Sequence, residues 1–289
     1  MIFTELLKLI FLGIVEGITE WLPVSSTGHM LLVDEFIKTA MSDEFKPMFF
    51  TVIQLGAIFA VVAVFWERMF PFGFRPLTIK KDIFTVWFKV VLACVPGAVA
   101  MFTVDDWVDA HLSTPVVIAA ALIFYGVLFI VLENRAKGKT PRVAELSDIS
   151  WSTAFFIGLF QVLSIVPGTS RSGATIIGAL ILGVSRVAAA EFTFFLAVPV
   201  MLGASAVELI KYGFSLSPLE TASLAVGAAT AFIVSLFSVR FLMNYVKKHD
   251  FKVFGWYRII LGALVLVCRI TRVFFKTENF LQITVITTN

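Results

Sequence analysis

Two glutamates near the N-terminus, Glu16 and Glu20, lie four residues apart in an otherwise apolar stretch. On a helix this spacing places both carboxylates on one face. Carboxylate oxygens are hard ligands that suit Mg²⁺ or Ca²⁺ better than a metal that prefers thiolates. The pair therefore predicts a site for a divalent cation, with Glu16 and Glu20 as ligands. The simpler alternative is that both carboxylates pair with Arg171 or cap backbone groups.

A polar run follows the glutamates, from Pro23 through Ser25, Ser26 and Thr27 to His29. Serine and threonine that precede a new helix are typical N-caps. The N–H groups and the positive dipole at a helix start also favour phosphate, which predicts phosphate binding by Ser25 and Thr27, with plain capping as the alternative. His29 lies within one helical turn of Ser26, close enough to act as general base for a serine nucleophile or for a water.

A second polar break occurs in the middle of the chain, where Pro167 is followed by Ser170, Arg171, Ser172 and Gly173. The serines are again placed to cap a new helix. Arginine adds a planar fork that holds phosphate oxygens in a bidentate way. Two helix N-termini and an arginine that face each other predict an anion cradle.

The two breaks form an internal repeat. The pattern of 13–28 recurs in 158–173: a glycine, an acid or amide three residues later (Glu16 and Gln161), then a proline and a serine-glycine run. An odd number of predicted spans separates the copies, so they must have opposite topology. Inverted repeats place their broken helices face to face near the membrane midplane, where ligand sites form. Helix breaks used only for close packing are the alternative, but ionisable residues at membrane depth favour a function.

The composition indicates a polytopic membrane protein. Of the 289 residues, 59% are hydrophobic and 15% are charged, and the mean hydropathy is +0.94. These values lie outside the usual range for a soluble domain. Helical spans are expected rather than a barrel, because long alternating strand patterns do not occur. The net charge of +3 gives no basic patch suited to nucleic acid, so we expect no nucleic-acid partner.

Six stretches are long enough to cross the hydrocarbon core, which takes about 20 helical residues. They are 47–66, 83–102, 113–132, 192–210, 220–242 and 256–275. Shorter apolar stretches flank the two polar breaks, and such pairs are typical of re-entrant hairpins. They are 6–22, 25–37, 151–166 and 173–184.

We therefore expect an all-α polytopic membrane protein that forms a single integral domain over 1–289, with six transmembrane helices and two re-entrant helical hairpins as an inverted-topology repeat. The expected parts are repeat one at about 1–135 with its hairpin at 6–37, repeat two at about 150–275 with its hairpin at 151–184, and a tail at 276–289.

Loop charges predict the orientation of the spans. Lysine and arginine are concentrated in the loops at 67–82 and 133–150, which places both loops in the cytoplasm. The loops near 105–109 and 211–218 carry at most one such residue and are predicted outside. This alternation requires each hairpin to return to its own side, so the two hairpins are predicted to enter from opposite faces.

The motifs resemble those of a known family. Glu16-x-x-x-Glu20, the run that ends at His29, and the run from Pro167 to Thr175 resemble the (E/Q)xxxE and PGxSRSxxT motifs of the bacterial undecaprenyl pyrophosphate phosphatases, the bacitracin-resistance proteins. The resemblance extends over nearly the whole chain, up to about Arg269.

The resemblance implies hydrolysis of undecaprenyl diphosphate to undecaprenyl phosphate and phosphate, which recycles the lipid carrier for cell-wall synthesis. It also implies dependence on a divalent cation and a multi-pass protein of the bacterial inner (cytoplasmic) membrane whose active site opens to the periplasmic or outer face. The functional positions that it carries over are Glu16, Glu20, Ser26, His29, Ser170, Arg171 and Thr175.

The combined hypothesis is that a cation on Glu16 and Glu20, Arg171 and the two helix N-termini hold the diphosphate. Ser26, activated by His29, attacks the terminal phosphorus, or His29 activates a water directly. The expected partners are a polyprenyl diphosphate and membrane lipid, and a homodimer is left open. The alternative function is a flippase or transporter of a lipid phosphate or other anion, because inverted repeats with broken helices are also transporter architecture.

Overall fold

The computed structural model describes residues 2–74 and 77–267, with the side chains at 2, 27, 31, 34, 35, 74, 77, 106 and 109 outside the description. The described part is built mainly from α-helices, as the sequence predicts. The helices are α1 Ile2–Thr19, α2 Ser26–Ile37, α3 Phe45–Val52, α4 Gln54–Val64, α5 Trp66–Met69, α6 Lys81–Leu112, α7 Pro115–Ala136, α8 Trp151–Val162, α9 Arg171–Ile181, α10 Arg186–Tyr212, α11 Pro218–Val246 and α12 at 252–267.

Five of the predicted spans coincide with helical stretches long and apolar enough to cross a membrane. These are Phe45–Val64, Lys81–Asp105, Pro115–Ala136, Arg186–Tyr212 and Pro218–Val246. The sixth predicted span, 256–275, begins within α12. Its second part and the predicted tail at 276–289 lie outside the described residues.

One local prediction is wrong, and the structure adds detail at two other places. The outer loop expected near 105–109 is helical, because α6 continues to Leu112 and α7 starts afresh at Pro115, where the Thr114 hydroxyl accepts the Val117 N–H at 3.3 Å. The span expected at 47–66 is two consecutive helices, α3 and α4. The loop after α5 contains a short antiparallel pair, β1 Phe72–Phe74 and β2 Leu77–Ile79, too short to give a periodic signal.

The helices α1 and α2 form a hairpin whose two open ends lie together. Near the start of α1, the Lys8 ammonium donates to the carbonyl of Lys38 at 2.9 Å, and the Glu5 carboxylate accepts the N–H of Ala40 at 3.0 Å. Lys38 and Ala40, whose backbone groups make these two hydrogen bonds, lie just after the end of α2. The chain therefore enters and leaves this hairpin at one place.

The helices α8 and α9 form a second hairpin that is closed in the same way. The N–H of Arg142, before α8, donates to the carbonyl of Gly183 at 2.8 Å, and Ser185, after α9, donates its N–H to the carbonyl of Val143 at 2.8 Å. Both polar breaks predicted from the sequence therefore lie at the tips of closed hairpins.

Each hairpin packs its first helix against a long helix of the other half of the chain, α1 on α11 and α8 on α6. Glycine allows both contacts. A Cβ on Gly17 would lie 2.9 Å from the carbonyl oxygen of Ala231, and one on Gly158 would lie 2.1 Å from that of Ala93. The backbones approach closely, as small residues permit between membrane helices.

The last helix of each half meets the other at a reciprocal contact. A Cβ on Gly126 of α7 would lie 2.7 Å from the carbonyl oxygen of Gly255 of α12, and a Cβ on Gly255 would lie 2.7 Å from the carbonyl oxygen of Gly126. This contact brings the first turns of α12 against the interior of the protein, where Tyr257 and Arg258 reach the two hairpin tips.

Candidate active site

Glu20 is the centre of the polar network between the two hairpin tips. Its Oε2 accepts a hydrogen bond from the Ser26 hydroxyl at 2.5 Å, and its Oε1 accepts one from Nη2 of Arg171 at 2.9 Å. The side chains of Arg171 and Glu20 are only 11% and 5% exposed. Arg171 also donates through Nη1 to the carbonyl of Thr193 at 3.1 Å. The structure thus joins three of the predicted site residues, one of them from the other half of the chain.

The helices α2 and α9 start in the same unusual way. Ser25 has φ 75° and Ser170, which lies 145 residues later, has φ 71°. The Ser25 hydroxyl accepts the N–H of Gly28 at 3.4 Å, and the Ser170 hydroxyl accepts that of Gly173 at 3.2 Å. Both serines are therefore N-caps. Positive φ in a residue other than glycine costs about 1–3 kcal/mol and is concentrated at functional sites.

The hydroxyls of the first turn of α9 fasten this helix to its neighbours. Ser172 donates to the backbone carbonyl of Glu20 at 3.3 Å. Thr175 donates to the carbonyl of Arg171 at 3.0 Å and lies 2.9 Å from the hydroxyl of Thr193 on α10. Phosphate binding by Ser25, Ser170, Ser172 and Thr175 stays a prediction, and the side chain of Thr27 lies outside the described residues.

His29 faces away from the Ser26 hydroxyl. Its Nδ1 is 2.7 Å from the carbonyl oxygen of Ser25, and its Nε2 is 2.6 Å from the hydroxyl of Tyr257. A carbonyl only accepts, so Nδ1 of the neutral imidazole carries the hydrogen and Nε2 accepts from Tyr257. The base in contact with Ser26 is therefore Glu20, and the predicted pairing of His29 with Ser26 is not formed in this arrangement.

Arg258 is a site component that the sequence analysis did not single out. It is completely buried and donates to the carbonyls of Pro23, Gly168 and Thr169, at 3.1, 2.8 and 2.9 Å. Its signal in the sequence is a charged residue within a predicted span, which is by default a functional candidate. Tyr257 next to it gives no such signal, because tyrosine is common near span ends.

Unpaired polar atoms are concentrated in the same segments. Within 2–74 and 77–267, the buried side-chain nitrogen and oxygen atoms without a hydrogen-bond partner are Glu16 Oε1, Trp21 Nε1, Gln161 Oε1, Thr169 Oγ1, Arg171 Nε and Arg258 Nε. A buried polar atom left unpaired costs about 1–3 kcal/mol. Native proteins pair such atoms with water, an ion or a ligand. Their concentration around the hairpin tips indicates a site that takes up a polar ligand.

Glu16 and Glu20 fit a cation that shares its ligands with a phosphate. Glu16 is 1% exposed, has a free Oε1 and interacts electrostatically with Glu20 and Arg171. Among the described residues there is no cluster of three or more histidine, cysteine, aspartate or glutamate side chains able to hold a metal. Mg²⁺ is commonly held by one or two carboxylates plus substrate phosphates. The donor set therefore suits such a cation and does not form a closed protein site.

The fold and the site define a multi-pass helical membrane protein whose polar centre is formed by two broken helix pairs. The chain belongs to the family described as bacitracin resistance protein BacA, whose sequence model matches residues 9–264. The match confirms the family resemblance noted in the sequence over residues 9–264.

Individual relatives support the same assignment. The chain is similar to an Enterococcus faecalis protein named undecaprenyl-diphosphatase, with 67% identity over 268 residues that cover 92% of this chain and 97% of that protein. Proteins of the same name from Lachnoclostridium phytofermentans and Desulfitobacterium hafniense are 59% and 57% identical, and each alignment covers 92% of this chain and 97% of the relative.

Proposed function

We propose that this protein hydrolyses undecaprenyl diphosphate to undecaprenyl phosphate and inorganic phosphate, in the membrane, as the names of its relatives suggest. The observation that carries the proposal is the contact between the Ser26 hydroxyl and Glu20, with Arg171 on the other carboxylate oxygen. A serine nucleophile, a carboxylate base and an arginine suited to phosphate are thus joined in one buried network. Transport of a phosphate needs the arginine and the helix N-termini but not the nucleophile and its base.

In the first step, the Ser26 Oγ attacks the terminal phosphorus while its proton passes to Oε2 of Glu20, 2.5 Å away. The bond between this phosphorus and the bridging oxygen breaks, and undecaprenyl phosphate leaves with that oxygen. A serine activated by an adjacent base is the standard way to make a weak nucleophile attack. The step leaves a phosphoserine at Ser26 and a proton on Glu20.

Arg171 and the starts of α2 and α9 stabilise the charge on the phosphoryl oxygens. Catalysis of phosphoryl transfer depends mainly on positioning and on offsetting this charge. The N-terminus of a helix favours an anion through its N–H groups and its dipole. Arg171 is held by Glu20 and by the Thr193 carbonyl, which orients the guanidinium before substrate arrives.

Glu16 and Glu20 would hold the divalent cation, Mg²⁺ or Ca²⁺, and its chemistry would be to neutralise negative charge on the diphosphate. The free Oε1 of Glu16 supports this assignment. The protein's own part is to keep two carboxylates on one face of the first hairpin.

In the second step, a water attacks the phosphorus of the phosphoserine, the bond from phosphorus to the Ser26 oxygen breaks, and Glu20 returns its proton to that oxygen as phosphate leaves. We assign His29 as the base for this water: the water's proton passes to the Tyr257 oxygen while the Tyr257 hydroxyl proton passes to His29 Nε2, 2.6 Å away. Direct attack by a water on the diphosphate would use the same histidine without the serine intermediate.

We also propose that the two hairpins are re-entrant and enter from opposite faces, followed by three spans each. Two observations support this arrangement. Hydrogen bonds join the two ends of each hairpin, and the first helix of each hairpin packs against a helix of the other half of the chain, α1 on α11 and α8 on α6. The family resemblance implies an active site that opens to the periplasmic or outer face of the inner membrane, and the loop charges give only the orientation of the spans. The catalytic groups come from one chain, so the chemistry does not require a homodimer.

The test is phosphate release from undecaprenyl diphosphate by purified protein in detergent, where no two-sided membrane exists. We expect turnover that stops when a chelator removes divalent cations and resumes when Mg²⁺ or Ca²⁺ is restored. Absence of phosphate release by folded protein with added cation would exclude the hydrolase and leave transport. Trapping of radiolabelled phosphate on wild-type protein, but not on Ser26→Ala, separates the serine route from direct attack by water.

A further inference from the structure

Arg258 lies outside both repeated motifs and yet touches both of them. Its Nη1 donates to the carbonyl of Pro23 in the first break, and its Nη2 donates to the carbonyls of Gly168 and Thr169 in the second. The side chain is 0% exposed, and its guanidinium carbon lies 5.7 Å from the ring centre of Tyr125. One side chain from α12 thus connects the two hairpin tips.

Burying a guanidinium costs several kcal/mol unless its hydrogen bonds are made. Arg258 makes three such bonds through Nη1 and Nη2, with backbone carbonyls that lie just before the helix starts at Ser26 and Arg171. The C=O and the N–H of one peptide unit are fixed together, because the unit is planar, so holding the Pro23 and Thr169 carbonyls also fixes the N–H groups of Val24 and Ser170. Arg258 therefore restrains the segments through which the chain enters α2 and α9, whose first N–H groups the proposed reaction uses.

The backbone at both tips also needs an external restraint. Gly168 has φ 91°, and Ser25 and Ser170 have φ 75° and 71°. Strained conformations of this kind persist only where the surroundings hold them. Arg258 binds within two residues of each of these positions, so it is placed to hold both strained turns at once.

We propose that Arg258 is a positioning residue of the active site, which fastens the two hairpin tips to each other and so keeps Ser26 and Arg171 together on Glu20. It acts by bridging and not by its charge alone, since a guanidinium has donors for both tips whereas an ammonium is a compact point charge. The inference rests on the proposed phosphatase activity for its kinetic part.

Arg258→Lys and Arg258→Met test the bridge, with Arg240→Met as the matched control, because Arg240 is an exposed arginine on α11. Misplacement of reacting groups by about 1 Å costs about 100-fold in rate. We expect a loss of this order in kcat for both variants, a nearly unchanged KM, and wild-type kinetics for Arg240→Met. Near-wild-type kcat in Arg258→Lys would overturn the bridging role.

Amide hydrogen exchange gives a readout that does not depend on catalysis. In both Arg258 variants, exchange should accelerate in 23–28 and in 168–173 and stay unchanged in α3, α4 and α11. Acceleration throughout the chain would indicate general loss of stability and overturn the proposal, as would unchanged exchange at either tip. If wild-type protein releases no phosphate, the proposed function fails while this pattern still tests Arg258.

Gly168→Ala approaches the same bridge without changing Arg258. A Cβ at this position would lie 2.6 Å from the carbonyl oxygen of Ile118. The backbone of Gly168 also has a φ of 91°, which is unfavourable for alanine. The second tip must move, so we expect lower kcat and faster exchange in 168–173. A wild-type kcat together with faster amide exchange in 168–173 would show that the position of this tip does not matter for the reaction. That result would contradict the proposal.

Discussion

The contact between Ser26 and Glu20 makes a quantitative prediction. Glu20→Gln keeps the size of the side chain but removes its negative charge and one of its acceptor oxygens. In the structure those oxygens accept from Ser26 and from Arg171. An amide is not a base, so the serine loses its base in either orientation of the glutamine, and the arginine also loses its acceptor when the NH2 group faces it.

The expected size follows from these two contacts. Loss of a general base lowers the rate by about 10²–10⁴-fold, which corresponds to about 3–5 kcal/mol of activation free energy. Loss of a hydrogen bond to a charged group adds about 1.5–3 kcal/mol where Arg171 is affected. Glu20→Gln should therefore lower kcat/KM by at least about 10²-fold, and by at least about 10³-fold where Arg171 also loses its acceptor, counting about 1.4 kcal/mol for each factor of ten.

The assay is initial-rate phosphate release from undecaprenyl diphosphate in detergent, for Glu20→Gln, Ser26→Ala and the double variant. Residues that act as a unit are strongly non-additive. If Glu20 is the base for Ser26, the double variant should be no slower than the slower single variant. Losses that multiply in the double variant would refute the assignment, because they would show that the two side chains act independently.

A matched control removes a different carboxylate. Glu191 on α10 is buried, and it pairs with Arg68 outside the hairpin tips. Glu191→Gln should leave kcat/KM near the wild-type value while it removes the same charge. Thermal unfolding of each variant distinguishes loss of catalysis from loss of folded protein, since breaking the buried pair of Glu20 and Arg171 costs about 3–5 kcal/mol of stability.

Three further predictions concern single positions. Arg171→Lys keeps a charge but loses the fork, so phosphate release should fall at least about tenfold, and wild-type turnover would contradict the clamp. Tyr257→Phe leaves His29 Nε2 without its hydroxyl partner, which should lower kcat and change its pH profile; an unchanged profile would exclude proton exchange through Tyr257. Gly56→Val would place a Cβ 2.0 Å from the Ala228 carbonyl oxygen, so the unfolding temperature should drop, and an unchanged temperature would contradict this close packing.

The sequence by itself determined the class of fold and most of the candidate site. Helical spans follow from apolar runs of sufficient length, because hydrocarbon leaves no other way to pair the backbone. The two breaks are visible as polar clusters that a membrane segment does not carry without a function. Glu16, Glu20, Ser26, His29 and Arg171 could therefore be named, and the repeat at an offset of 145 residues already related the two tips.

Only the tertiary structure decided which of these groups meet. Their closeness in sequence predicted that His29 acts as general base for Ser26. In the structure His29 forms its hydrogen bond with Tyr257, 228 positions away, and Ser26 donates to Glu20. The same holds for Arg258, whose partners lie 89 to 235 positions away. Contacts across such separations depend on how the helices pack, for example at Gly126 and Gly255, and short-range spacing contains no information about that packing.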